Sequence, residues 1–180
     1  MRFLGDIHGK LNLIPSDRPE PVIQLGDLGV GFVHVPMMEN FRFIRGNHDN
    51  PELCRIHPNY IGDWAIEGTT LFLSGAGSID KYARREGIDW WREEELSTSQ
   101  MNEVLNLNCQ VNLVVAHDVP EFVYTGDLGI YDNKFITPKF LNAVADKFRP
   151  KRWIAGHHHL SLSVKRAGID FIVLAEGELM

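Results

Sequence analysis

Two groups of ionisable residues stand at opposite ends of the chain. Near the start, Gly5-Asp6-Ile7-His8-Gly9 sets a carboxylate and an imidazole two residues apart; near the end, Gly156-His157-His158-His159 sets two imidazoles at the same interval. At the end of an extended strand, residues i and i+2 project to one side, so each pair can reach a single point while His158 faces away. Between these groups Asp27, Asn47 and His117 each follow a short apolar run. Hard oxygen donors mixed with imidazoles suit two divalent ions of borderline character, namely manganese, iron or zinc. Two such ions about 3.5–4 Å apart can polarise a phosphoryl oxygen and lower the pKa of a shared water, so that a metal-bridging hydroxide attacks phosphorus in line.

The elements that must position these residues are legible as short apolar runs. MRFL, PVIQL, FRFI, NLVVA and RWIA each stop at or just before Gly or a polar residue. Such near-continuous runs read as strands buried on both faces and covered by helices, which makes the fold class α/β. In sheets of this kind the functional crevice lies outside the carboxyl ends of the strands, so the polar residues are expected on one rim. Helices are expected at 97–107, behind hydroxyl caps, and at 137–148, with Thr137 as N-cap and Pro138 in the first helical position. A shorter helix follows Asn50-Pro51, and two strands joined at Ala167-Gly168 close the chain. The charged, aromatic stretch 75–95 has weak periodicity and suits an active-site loop or insertion.

Composition narrows the classes further. With 180 residues, 44% of them hydrophobic, the chain fits one domain, 1–180, with a sizeable core. No apolar run approaches the ~20 residues of a membrane span, so no membrane partner is expected. Asp6 and His8 interrupt any apolar stretch of signal-peptide length, and the expected location is cytoplasmic. Cys54 and Cys109 lack CxxC spacing and read as buried small hydrophobes. A formal net charge of −6 disfavours long duplex nucleic acid as a partner, while a nucleotide or a short strand stays open.

In order along the chain, GDIHG, GDLG, GNHD, AHD and GHHH resemble the motifs of the calcineurin-like metallophosphoesterase superfamily, and its small bacterial and phage members in particular. The resemblance implies a four-layer α/β/β/α sandwich of two mixed β-sheets with a dimetal site at the carboxyl ends of the strands. It implies that Asp6, His8 and His159 hold a first ion, that Asn47, His117 and His157 hold a second, and that Asp27 bridges the two. It casts His48 as the catalytic histidine and Asp49 as the residue that orients it. The expected cofactors are therefore two divalent ions, with manganese favoured over iron or zinc, and the expected substrate is a phosphomonoester or phosphodiester. A nuclease, or an idle metal-binding scaffold for protein partners, is the alternative. The second motif lacks the Asp-Arg-Gly continuation and the third ends in Asp49 rather than Glu, which argues against a protein phosphatase.

Each Asp or Asn beside Gly is, taken singly, an ordinary turn residue; seven candidate ligands, four of them histidines, in one ordered set are harder to explain that way. GDLG recurs at Gly126–Gly129, where Asp127 is read as a loop residue and not a ligand. For substrate, Arg45, Lys81, Arg84 and Arg85 are candidate phosphate contacts, because guanidinium groups can pair bidentately with phosphate oxygens. Tyr82, Trp90 or Trp91 could stack a base. The competing reading pairs the basic residues with Glu86, Glu93, Glu94 and Glu95 and packs the tryptophans in the core.

Overall fold

The computed structural model describes residues 1–129 and 134–180. Strands β1 (Arg2–Leu4), β2 (Val22–Gln24) and β3 (Phe41–Phe43) form a small sheet in that order, parallel throughout. A larger sheet is ordered β4 (Trp64–Glu67), β5 (Thr70–Leu73), β6 (Leu113–Ala116), β7 (Arg152–Ala155), β9 (Ile169–Val173) and β8 (Leu162–Arg166). Its inner pairs, from β5 to β9, are parallel and its two edge pairs antiparallel. The chain is thus α/β with two sheets, but only the larger is mixed; the expectation of two mixed sheets is corrected. The described helices are α1 (Pro51–Arg55), α2 (Thr98–Asn106), α3 (Glu121–Gly126) and α4 (Thr137–Phe148).

Alternation along the strands builds three apolar clusters. Val22 of β2 turns to one face, beside Phe41, Phe43 and Leu4, whereas Ile23 turns to the other, beside Phe3 and Ile44. In the larger sheet Val114 and Trp153 join Val104, Leu141 and Val144 of the helices, whereas Val115 and Ile154 meet Ile23 and Leu25. One cluster therefore lies between the sheets. Each fully buried side chain of this size contributes roughly 1.5–3 kcal/mol, so this shared cluster holds the rims of the two sheets in register.

Helix ends follow local chemistry where it suffices. The Asn50 side chain accepts from the backbone N–H groups of Glu52 and Leu53, with Pro51 opening α1, and Ser97 and Gln100 form a reciprocal capping box on α2. Thr137 is not the cap of α4: the Glu95 carboxylate accepts from the N–H groups of Ile136 and Thr137 at 2.9 and 2.8 Å and from the Thr137 hydroxyl at 2.8 Å. A side chain 42 positions away takes over the local role. Cys54 is buried as expected; Cys109 is exposed. Among the described residues no helix is long and apolar enough to cross a membrane.

Candidate metal centre

The ligand loops begin just beyond β1, β2, β3, β6 and β7. Four of the residues that converge are not on extended backbone: His8, Asp27, His157 and His159 have positive φ, at 45°, 54°, 68° and 52°. For non-glycine residues this left-handed conformation is uncommon and concentrates at functional sites. The expected same-side projection of i and i+2 is therefore replaced by left-handed turns past the strand ends, which fold the side chains back over the rim. Two glycines let these turns close. A Cβ on Gly46 would lie 2.0 Å from Asp27 Oδ1, and one on Gly156 would lie 2.3 Å from Asp6 Oδ1.

Asp27 belongs to two of the donor groups that result, and Asp118, His157 and His158 form a further one. Asp6, His8, Asp27 and His159 bring one donor atom each within 4.8 Å of one another, as do Asp27, His117 and His157. Asp6 receives the His157 N–H on both oxygens, at 3.0 and 3.1 Å, and lies 3.3 Å from His159 Nε2. His8 Nε2 and His159 Nε2 are 2.9 Å apart, and His8 Nε2 is 3.9 Å from Asp27 Oδ2. In the deeper group His117 Nε2 lies 3.1 Å from Asn47 Oδ1 and 3.6 Å from Asp27 Oδ1.

The tautomer of His117 gives a direct test of whether ions fit. Its Nδ1 is 2.7 Å from the Leu25 carbonyl, which can only accept, so Nδ1 carries a proton and Nε2 is the nitrogen turned toward the site. That nitrogen faces an amide oxygen and a carboxylate oxygen, atoms of the kind that can hold a metal ion. Charge points the same way: burial and the neighbouring Asp6 and Asp49 push Asp27 well above the usual carboxylate range. Burial also pushes Asp6 up, but His117 and His159 outweigh it and hold Asp6 low. Burial keeps His157 neutral, down at about 3, and lowers His8. The donor set, imidazoles around two buried carboxylates, is one that could bind metal.

His48 sits beside these donors, its N–H donating to Asp27 Oδ1 at 2.8 Å and its Nε2 4.0 Å from Asp27 Oδ2. The expected orienting role of Asp49 is corrected. Asp49 is fully buried and accepts from the N–H groups of Leu28, Gly29, Val30 and Gly46 at 2.7–3.1 Å, so it holds the Asp27 turn in shape. Arg84 takes the place beside His48. Its Nη1 lies 2.7 Å from His48 Nδ1 and its Nη2 3.0 Å from His48 Nε2, while Asp80 holds Nη2 at 2.7 Å. Burial and this guanidinium hold the imidazole down at about 4. No local signal links positions 48 and 84.

The remaining substrate candidates separate. Arg45 is fully buried, donating to Asp63 at 2.9 Å and to the Glu94 carbonyl at 2.8 Å, and it is a structural anchor rather than a substrate contact. Lys81 stands over Tyr82 and Phe135, and Arg85 is exposed. Arg84 alone of the four lines the cleft of about 510 Å³ with His8, Asp27, Asn47 and His48. A larger hollow of about 740 Å³ near α2 contains none of the candidate ligands. His158 is drawn inward, its Nε2 3.0 Å from Asp118 Oδ1 and its ring edge-on to Tyr124. The second GDLG contributes to none of the donor groups; Asp127 pairs with Arg166.

Comparison with known proteins corrects the family assignment. No family model matches the chain, and no curated protein matches it. Among solved structures it is similar to the phosphopantetheinyl hydrolase of Mycobacterium tuberculosis, at 12% sequence identity and a TM-score of 0.54, over 98% of this chain and 89% of that one. At that identity the likeness shows a shared fold alone. The resemblance to the calcineurin-like metallophosphoesterases rested on five short motifs, and membership of that superfamily does not follow from them. What the motifs do locate is a set of side chains that the fold brings together.

Proposed function

We propose that the protein hydrolyses a phosphomonoester or phosphodiester with the aid of two divalent ions, manganese being the first choice. The observation that carries this reading is the place of Asp27 in two donor groups, with Asp6, His8 and His159 on one side and Asn47, His117 and His157 on the other. In this reading the two sheets and their outer coverings form a four-layer sandwich with the ion pair at the carboxyl ends of the strands. The shared fold lends support, because the similar protein is named a hydrolase.

Bound ions of this kind supply a nucleophile at neutral pH and polarise a phosphoryl oxygen. The chain's own residues do the rest. Arg84, on the cleft wall, is suited to pair with two phosphate oxygens and fix the ester in line. Burial and Arg84 together hold His48 low; once Arg84 turns to the ester the second of these is relieved, and His48 can hold a proton at Nε2 for the departing oxygen.

Metal-stripped protein resupplied with manganese is expected to hydrolyse p-nitrophenyl phosphate or bis-p-nitrophenyl phosphate, and the preferred ester tells phosphatase from phosphodiesterase. No turnover of either with manganese, iron or zinc would favour an idle scaffold. His48→Ala should keep both ions and lose about 10²–10³-fold in kcat; full activity would remove His48 from the reaction.

A further inference from the structure

The stretch 75–95 does more than border the cleft: one of its serines touches a candidate ligand. Asn47 Nδ2 donates to Ser78 Oγ at 2.9 Å, and Ser78 Oγ donates to Glu94 Oε2 at 2.5 Å. Glu94 Oε1 accepts the Ser78 N–H at 3.1 Å. Asn47, Ser78 and Glu94 are all buried, with 2%, 2% and 3% of their surface exposed. Glu94 is itself held, since its carbonyl accepts from Arg45, which is paired with Asp63.

The direction of these bonds matters more than their number. The Ser78 hydroxyl gives its one hydrogen to Glu94 Oε2, while Oε1 takes the Ser78 N–H, so the hydroxyl presents a lone pair to Asn47. Only the amide NH₂ can meet that lone pair, so the amide oxygen is turned toward His117 Nε2 and the ion position. Without Ser78 no bond holds the amide in that sense: flipped, its Nδ2 would stand where Oδ1 now lies, 3.1 Å from His117 Nε2. That flip would turn an NH₂ group toward the ion position and close the deeper site.

We propose that Ser78 and Glu94 are positioning residues that keep the Asn47 amide oxygen facing the deeper ion, so that the stretch 75–95 sets the affinity of one ion of the pair. This rests on the two-ion reading above. Glu94→Gln would act like Ser78→Ala, because a glutamine NH₂ facing Ser78 Oγ frees the hydroxyl hydrogen to donate to the Asn47 oxygen and invert the amide.

The test is manganese titration of metal-stripped protein by calorimetry, followed by electron paramagnetic resonance of the loaded sample. Wild type should take up two ions and show an exchange-coupled pair. Ser78→Ala and Glu94→Gln should weaken one binding step by about 10–100-fold, leave the other unchanged and give the signal of isolated manganese, and Ser78→Thr should restore the pair. Unchanged binding in both variants, beside a two-ion wild type, would overturn the positioning role and leave the two-ion reading standing. Equal weakening of both steps, or no rescue by threonine, would also overturn it. A wild type that binds no manganese would overturn both.

Discussion

The tetrapeptide Gly-Asp-Leu-Gly occurs twice and folds in two ways. At Gly26–Gly29 it follows β2 and coils left-handed, with Gly26, Asp27 and Gly29 at φ of 102°, 54° and 102°. At Gly126–Gly129 the first residue ends α3, Asp127 is the helix C-cap, and Gly129 alone of the four has positive φ. The carboxylates part company accordingly. Asp27 is buried among His8, His48 and His117; Asp127 reaches Arg166 at the surface edge of the larger sheet. Identical side chains therefore take their roles from what surrounds them. The first copy is held by the buried Asp49 carboxylate through the N–H groups of Leu28 and Gly29; the Asp127 and Leu128 N–H groups of the second bond back to Val123 of its helix.

The largest expected contrast is between the two aspartates. Asp27→Ala removes the donor common to both groups, so metal analysis should find neither ion retained and turnover should fall by at least about 10³-fold. An Asp27→Ala protein that kept both ions would end the claim that the copies differ in function.

The leading glycines should differ in the sign of their effect. A Cβ on Gly26 would stand 2.3 Å from His117 Nδ1 and 2.8 Å from the Gly46 nitrogen, at a φ that L-residues rarely adopt. Overpacking and backbone strain together make Gly26→Ala destabilising by about 3 kcal/mol, or roughly 6–12 °C in melting temperature for a chain of this size. Gly126 is helical, with nothing within 4 Å of a Cβ built on it. Gly126→Ala should raise stability by about 0.5 kcal/mol, since alanine loses less backbone freedom on entering a helix end. Thermal melts of the two variants check both; a destabilised Gly126→Ala would show that the second copy is as tightly enclosed as the first.

What could be read from the sequence follows from the range of the interactions involved. The Asn50-Pro51 start of α1, the Ser97/Gln100 box and the Ala167-Gly168 turn are decided within a few residues, and the structure has each of them. The hairpin β4–β5 escaped notice because Trp64, Ala65 and Ile66 are only half-buried and the run is broken by Glu67 and Gly68. Helix α3 is six residues long and has no side-chain cap, so neither periodicity nor capping announces it. At the site, the residue types of the ligands were legible, but their convergence by left-handed turns was not. The pairings His48–Arg84, Asn47–Ser78–Glu94 and Asp49 with the Asp27 turn span 16 to 36 positions. Nothing at either end of such a pair encodes its partner, and Arg45 looked like a phosphate contact because its burial depends on Asp63 and Glu94.

The smallest effect belongs to Asp127→Ala, and its smallness is informative. The pair it breaks joins a mostly buried carboxylate to an Arg166 side chain that is 49% exposed, and ion pairs with one partner in solvent are worth about 0–1 kcal/mol. The variant should melt within roughly 4 °C of wild type, with ion content and turnover unchanged. Added salt should shrink even that difference, because a solvent-facing pair is screened over about 10 Å at 0.1 M. Salt should not rescue Asp27→Ala, where the lost carboxylate is buried among donors that need a cation rather than among charges that solvent can shield. A salt-insensitive or metal-losing Asp127→Ala would place the second copy in the site after all.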